Sequence, residues 1–293
     1  MKFNWKRSML MIIALFSFSF LNVNAQEVYY TNLNGVQMTE EEYNKIITML
    51  SETRASTLTQ EQFEHYISGK IIDSNVRYIK DTYQNGILIN QENISEFEYE
   101  NDLVQANMCS NSIMSDDDQY IETSYKRFNV TLTDWGDNDF SLLGSVTWKQ
   151  TPATRSYDVF AFRLSHMNYV YAGATQTYFI GNNYWDISYT SSSTGYNGFT
   201  NGAGVSMNLV DGTDISKFEM TLVADLEISE WNYAYGHAFV SYQHATSSIT
   251  QVQSKSYTLG AGGLGDVIVF SSNWIASFYD DTPGIMVATT IPA

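Results

Sequence analysis

The sequence predicts a mainly β protein, an antiparallel two-sheet β-sandwich for which a jelly-roll-like order is one option, preceded by a small α-helical N-terminal region. Three observations carry this. From residue 120 onward apolar residues recur with period two, the spacing of half-buried strands, in roughly nine or ten runs. Before that point, two near-identical phrases read as helix starts. The chain also has a single cysteine, Cys109. No internal disulfide can form, so a hydrophobic core must supply the stability.

Residues 1–25 read as a signal peptide. Lys2, Lys6 and Arg7 precede the apolar run Ser8 to Leu21, and "VNA" (Val23 to Ala25) supplies small or apolar groups ahead of the cut. Cleavage is expected between Ala25 and Gln26, and the mature chain is expected to be secreted. No Cys follows the cut to carry a lipid. No later stretch approaches the apolar length of a membrane span. Removing the signal leaves twelve Lys and Arg against 32 Asp and Glu, a net charge of −20. Such a surface argues against nucleic acid and anionic lipid, whose binding rests on neutralising phosphate with Lys and Arg.

The mature chain divides by composition at residue 119. Residues 26–119 hold 17 acidic and 5 basic residues and no Trp; all five mature Trp lie in 120–293. The acidic part contains "MTEEEY" (Met38 to Tyr43) and "LTQEQF" (Leu58 to Phe63). With Thr39 and Thr59 as N-caps, Glu42 and Gln62 fall at N3. Each phrase is therefore a capping box, in which side chains satisfy free backbone N–H groups. The intervening "SETRASTL" has no Asp and no Gly, which excludes an EF-hand loop. The reading is two capped helices, the second ending near Gly69.

In 120–293 the clearest strand is "KFEMTLVADLEI". Phe218, Met220, Leu222, Ala224, Leu226 and Ile228 form an apolar parity; Lys217, Glu219, Thr221, Asp225 and Glu227 form a polar one, broken only by Val223. One buried and one wet face are expected.

Candidate chemistry follows from a few stretches. "GAGGLG" (Gly260 to Gly265) matches G-x-G-x-x-G, but a strand-like run follows it where a dinucleotide site needs a helix. "TDWGDNDF" gathers Asp134, Asp137 and Asp139 around a glycine. Calcium is the ion such a loop would take, against the plain reading of an acidic turn. Glu219, Asp225 and Glu227 share a strand face and are the candidates for a glycosidase or lyase. The stretch "DLEISE" (Asp225 to Glu230) reads D-x-E-x-x-E, whereas laminarinase-like glycosidases carry E-x-D-x-x-E. "GVSMN" lacks the last glycine of a nucleophile elbow. His237 and His244, seven apart, point to opposite faces of a regular strand and cannot share a metal.

The remaining signal is the stretch Tyr178 to Gly202, rich in Tyr, Trp, Asn, Ser and Gly and nearly free of charge. Rigid aromatics beside small polar groups suit recognition, and aromatic faces flanked by amides suit a sugar ring. Tyr184, Trp185, Tyr189, Tyr196 and Asn197 are the candidate ligand patch. The leading expectation is a non-catalytic module binding a glycan or cell-surface ligand. The alternatives are the carboxylate enzyme and a secreted interaction or structural protein.

Overall fold

The computed structural model describes residues 29–85, 87–101, 121–137, 139–152, 154–228, 235–260 and 267–290. The signal segment, the boundary at 119, Cys109 and most of the "GAGGLG" loop lie outside them. The chain opens with a β1 (Tyr29–Thr31) and β2 (Gln37–Thr39) pair, then α1 (Glu40–Met49), α2 (Glu52–Ala55) and α3 (Gln60–Ser68). Strands follow as β3 (Lys70–Gln84), β4 (Ile87–Ile94), β5 (Ile121–Gly136), β6 (Asp139–Trp148), β7 (Tyr157–Ser165) and β8 (Met167–Ile180). Next come β9 (Asn183–Tyr189), β10 (Tyr196–Phe199), β11 (Gly202–Asn208), β12 (Ile215–Ile228) and β13 (Tyr235–Gln243). The chain closes with α4 (Gln251–Ser254), β14 (Tyr257–Leu259), β15 (Ile268–Phe270), α5 (Asn273–Ala276) and β16 (Ile285–Thr290).

Two antiparallel sheets make the sandwich. The larger has seven strands in the order β4-β3-β5-β6-β12-β8-β9, and the smaller five in the order β10-β11-β7-β13-β16. The core lies between them. On β12, Phe218, Met220, Leu222, Ala224 and Leu226 are all buried and sit opposite Trp148, Val146, Gly144, Leu142 and Phe140 of β6. Phe160, Phe162, Val205, Met207, Val240 and Tyr242 meet them from the smaller sheet. Gly144 makes room for one of these: a Cβ there would stand 3.0 Å from Cζ of Phe160.

The outer face of the larger sheet is not wholly wet, because α1 to α3 lie on it. Leu143 packs there with Met38, Ile46, Met49, Leu50, Leu58 and Phe63, and Val223 joins them. The break in the polar parity of β12 is thus the residue beneath the helices. Both capping boxes form: the Thr39 and Thr59 hydroxyls each accept from the N3 amide, and their own backbone amides donate to the N3 side chain in return. Thr39→Ala is expected to cost about 1 kcal/mol, measured by urea unfolding, with Ser at the same position restoring most of it.

The reading of 26–119 as helical and irregular is corrected over residues 70–94. These form β3 and β4, which pair with each other and, through β3, with β5. The alternation of β3 is blurred because its outer face is partly covered by the helical layer. One signal could have found the hairpin: Asn85-Gly86, a favoured two-residue turn pair, with Asn85 at φ 52°.

Candidate functional site

Register across the larger sheet aligns one row of outward-facing side chains. Tyr78 on β3 stands opposite Arg127 on β5, and Arg127 opposite Thr147 on β6. Thr147 then faces Glu219 on β12, Glu219 faces Thr177 on β8, and Thr177 faces Asp186 on β9. Six residues spread over more than a hundred positions become neighbours because antiparallel pairing stacks them at inter-strand spacing.

The helical layer closes one half of this row. Thr177 Oγ1 donates to Asp186 at 2.6 Å, and Arg54 of α2 pairs with the same carboxylate at 3.2 Å. Ser51, the N-cap of α2, donates to Glu219 Oε2 at 2.6 Å, while Thr221 donates to Oε1 at 3.4 Å. Glu219 is fully buried. Burial pushes its carboxyl up to about 7, against the smaller opposing pull of Ser51, Arg54, Arg127 and Thr221.

The other half is open. A cleft of about 440 Å³ lies between α1–α2 and the helical residues 96–101, floored by Ser74, Val76, Tyr78, Arg127, Asn129 and Thr147. Its walls are fixed by specific bonds. Arg127 donates to the carbonyls of Ile47 (3.1 Å) and Leu50 (3.3 Å), and Asn129 to that of Thr48 (2.8 Å). The last turn of α1 has no basic residue of its own, so the sheet supplies the cation that a helix C-terminus favours. On the far wall Ser95 and Glu98 form a third capping box. Tyr78 donates to Glu96 at 2.7 Å, and its ring lies 4.9 Å from that of Tyr99. Lys149 sits 3.8 Å over the Tyr99 ring and 3.7 Å from Glu100. Burial raises the phenols of both Tyr99 and Tyr78. Two further polar side chains line the floor and rim. The Thr147 hydroxyl is buried with no hydrogen-bond partner, and exposed Lys217 stands at the rim. This is a mixed surface of aromatic, hydroxyl, amide and both signs of charge, suited to a polar ligand bearing many hydroxyls.

The residues singled out from sequence fall elsewhere. Tyr184, Trp185 and Tyr189 are on β9, but Tyr196 and Asn197 are on β10 in the other sheet. Parity divides them further. Tyr184 faces the helical layer, where its hydroxyl takes a bond from Asn34 at 3.1 Å. Trp185 turns the other way and stacks on Tyr178, with ring centres 5.6 Å apart, and stays 42% exposed. Tyr189 and Tyr196 pack against the core, and Asn197 donates to the Lys255 carbonyl at 3.0 Å. They do not make one surface.

The carboxylates do not converge either. Six residues along β12 separate Glu219 from Asp225, roughly 20 Å of strand, and Asp225 and Glu227 are exposed. Burial raises the Asp225 carboxyl, with Asp139 beside it adding to the rise and His65 opposing it. Asp134 accepts from the Gly136 amide at 2.8 Å, which commits it to the β5–β6 turn, and Asp137 sits in the left-handed region at φ 53°. Among the described residues no group of three or more His, Cys, Asp or Glu is placed to hold a metal. His237 lies on the outer face beside Phe239, whereas His244 is buried against Asp158. The first described strand after the glycine loop is β15, antiparallel to β14, so among the described residues the loop leads into a strand where a dinucleotide site needs a helix.

No protein-family profile matches the sequence, and neither does any curated protein. Among solved structures, the chain is similar to the pilus backbone RrgB from Streptococcus pneumoniae, at 6% identity and a TM-score of 0.27. That match covers 52% of this chain and 40% of the pilus protein. It is also similar to TmCBM61, solved with β-1,4-galactotriose, at 11% identity and a TM-score of 0.21, over 46% of this chain and 73% of that one. These likenesses are too slight to carry an argument about the ligand. The class the sheets define is an antiparallel β-sandwich with a helical layer on its larger sheet. No helix among the described residues is long and apolar enough to cross a membrane.

Proposed function

We propose that this protein is an exported, non-catalytic glycan-binding β-sandwich whose ligand lies in the cleft between α1–α2 and residues 96–101. The observation that carries the reading is the cleft itself. Its volume falls within the roughly 300–1,000 Å³ of small-molecule sites. Its lining joins Tyr78 to exposed Ser74 and Lys217 and to the carboxylates of Glu96 and Glu100. The half-buried Tyr78 ring offers the apolar face of a sugar something to stack on, and the polar groups orient its hydroxyls. The signal segment supports export.

Binding without turnover is favoured by where the carboxyls stand. A glycosidase needs two of them about 5–9.5 Å apart across the scissile bond. Of the acids singled out from the sequence, Glu219 is walled off by Ser51, and Asp225 and Glu227 lie far along the strand; of the cleft's own Glu52, Glu96 and Glu100, Glu96 is held by Tyr78 and Glu100 by Lys149.

The test is a glycan array probed with the mature chain (Gln26 to Ala293) and two variants. Tyr78→Ala is expected to keep its circular dichroism spectrum and bind about tenfold more weakly, the loss of roughly 1.4 kcal/mol of stacking and contact. Trp185→Ala should bind like the parent. The reverse result, loss with Trp185→Ala alone, would move the site to the edge strand. Chelation is expected to leave binding intact, since Asp134 is committed to its turn; loss on chelation would bring the Asp134, Asp137 and Asp139 loop into the site.

A further inference from the structure

A second polar cluster lies inside the sandwich, and the proposed binding does not use it. Lys126 on β5 is fully buried, an uncommon place for an amine. Its Nζ contacts Oδ2 of Asp280 and lies 2.9 Å from Oδ2 of Asp81 on β3. Asp81 is likewise fully buried, and Asp280 is 3% exposed. The Trp148 ring shields the amine, its centre 5.0 Å from Nζ. The Asp280 carboxyl is held at both oxygens. The His244 amide donates to Oδ1 at 2.9 Å, and Thr282 Oγ1 donates to Oδ2 at 2.9 Å. Gln91 donates to Asp81 at 2.7 Å and reaches Asp280 Oδ2 at 3.4 Å, joining the two acids.

We propose that the Lys126 amine and the Asp280 carboxyl condense into an intramolecular isopeptide bond, with Asp81 carrying the proton. Three features are needed for such a step, and the cluster has them. The nucleophile touches the carboxyl it attacks, so no encounter is needed. Water is excluded, which opposes hydrolysis of the product. A second carboxylate within bonding distance of Nζ accepts its proton.

The step balances. The ammonium of Lys126 loses one proton to Asp81, and the resulting amine attacks Cγ of Asp280. Oδ1, held by the His244 amide, carries the developing negative charge. The second proton of the nitrogen and the one held by Asp81 both pass to Oδ2, which leaves as water. The ammonium and carboxylate charges disappear together, Asp81 ends as it began, and one Lys–Asp amide remains. Asp280 lies between α5 and β16 of the smaller sheet, and Lys126 in the larger. The bond would therefore staple the two sheets. A chain whose only cysteine is Cys109 has no disulfide with which to do so.

The wild-type chain tests this without any variant. Purified folded protein is denatured and digested with trypsin, which cuts after Lys126 only if its amine is free. The expected product joins residues 81–127 to residues 256–293, at a mass about 18 Da below the sum of the two linear peptides. Recovery of linear peptide 81–126 and linear 256–293 would overturn the proposal and leave a buried ion pair. Asp280→Asn gives an independent readout in the same map: an Asn side chain would release ammonia, so the joined peptide should lie about 17 Da below its own linear sum. Asp81→Asn is expected to leave Lys126 free. A joined peptide in that variant would remove Asp81 from the mechanism.

Discussion

Glu219→Gln is expected to stabilise the protein at pH 8 and to change little at pH 5. The carboxyl is fully buried under Ser51 and Thr221, and burial moves it from an ordinary 4.5 to about 7. The fold raises this value, so as pH climbs the unfolded chain gives up the proton first. Below about pH 4.5 both states are protonated and the group's full contribution is present. Between there and about pH 7 the contribution is progressively lost. Integrated over that window the loss is about 3 kcal/mol. Glutamine has the same shape, keeps an oxygen to accept from Ser51, and never ionises. Urea unfolding of parent and variant at pH 5 and pH 8 checks this. The parent should lose stability between the two pH values by about 2.5 kcal/mol more than the variant. Equal losses would mean that Glu219 ionises in the fold at no extra cost, through water reaching the Ser51 contact.

Phe160→Ala is expected to cost about 3–5 kcal/mol, the range for removing a buried aromatic ring. Phe160 is fully inaccessible and meets Phe128 and Tyr242 edge-on, with ring centres 5.9 and 5.6 Å away. Its tip reaches across the sandwich to Gly144 of the opposite sheet. Gly144→Ala alone should also destabilise, because the added methyl would stand 3.0 Å from the ring and 3.4 Å from Val240 Cγ1. In the double variant the new methyl enters the space the ring has left, so the combined cost should fall below the sum of the two. Strict additivity in denaturant unfolding would show that the two sheets do not interlock at this point.

Much of the local structure was legible in the sequence. Thr39 with Glu42 and Thr59 with Gln62 form the boxes their spacing implies, because a cap is a contact over three residues and needs nothing from elsewhere in the chain. The parity of β12 names its buried face for the same reason, since side-chain direction alternates with each residue. The exception in that parity was informative: Val223 faces outward because the helices lie on it. The strands of 70–94 were missed although the Asn85-Gly86 pair marked their turn. Their outer face is part wall of a cleft and part open to water, so no clean alternation survives.

The candidate patch failed as one surface for a related reason. Tyr184 to Asn197 are close in sequence, but strand parity and a change of sheet send them in different directions. Conversely, Tyr78, Arg127, Thr147 and Glu219 have no shared motif and meet only through strand register. Asp81, Lys126 and Asp280 come together because β3 pairs with β5 and the segment before β16 reaches the same end of the core.

By itself, then, the sequence determined what short-range physics can set: the helix starts, the buried parity of its clearest strand, and a composition that demands a hydrophobic core. Tertiary structure alone decided the cleft and the buried Lys126 cluster. Both are built from residues far apart in the chain, and their proximity depends on which strands pair, in which register, with which face covered.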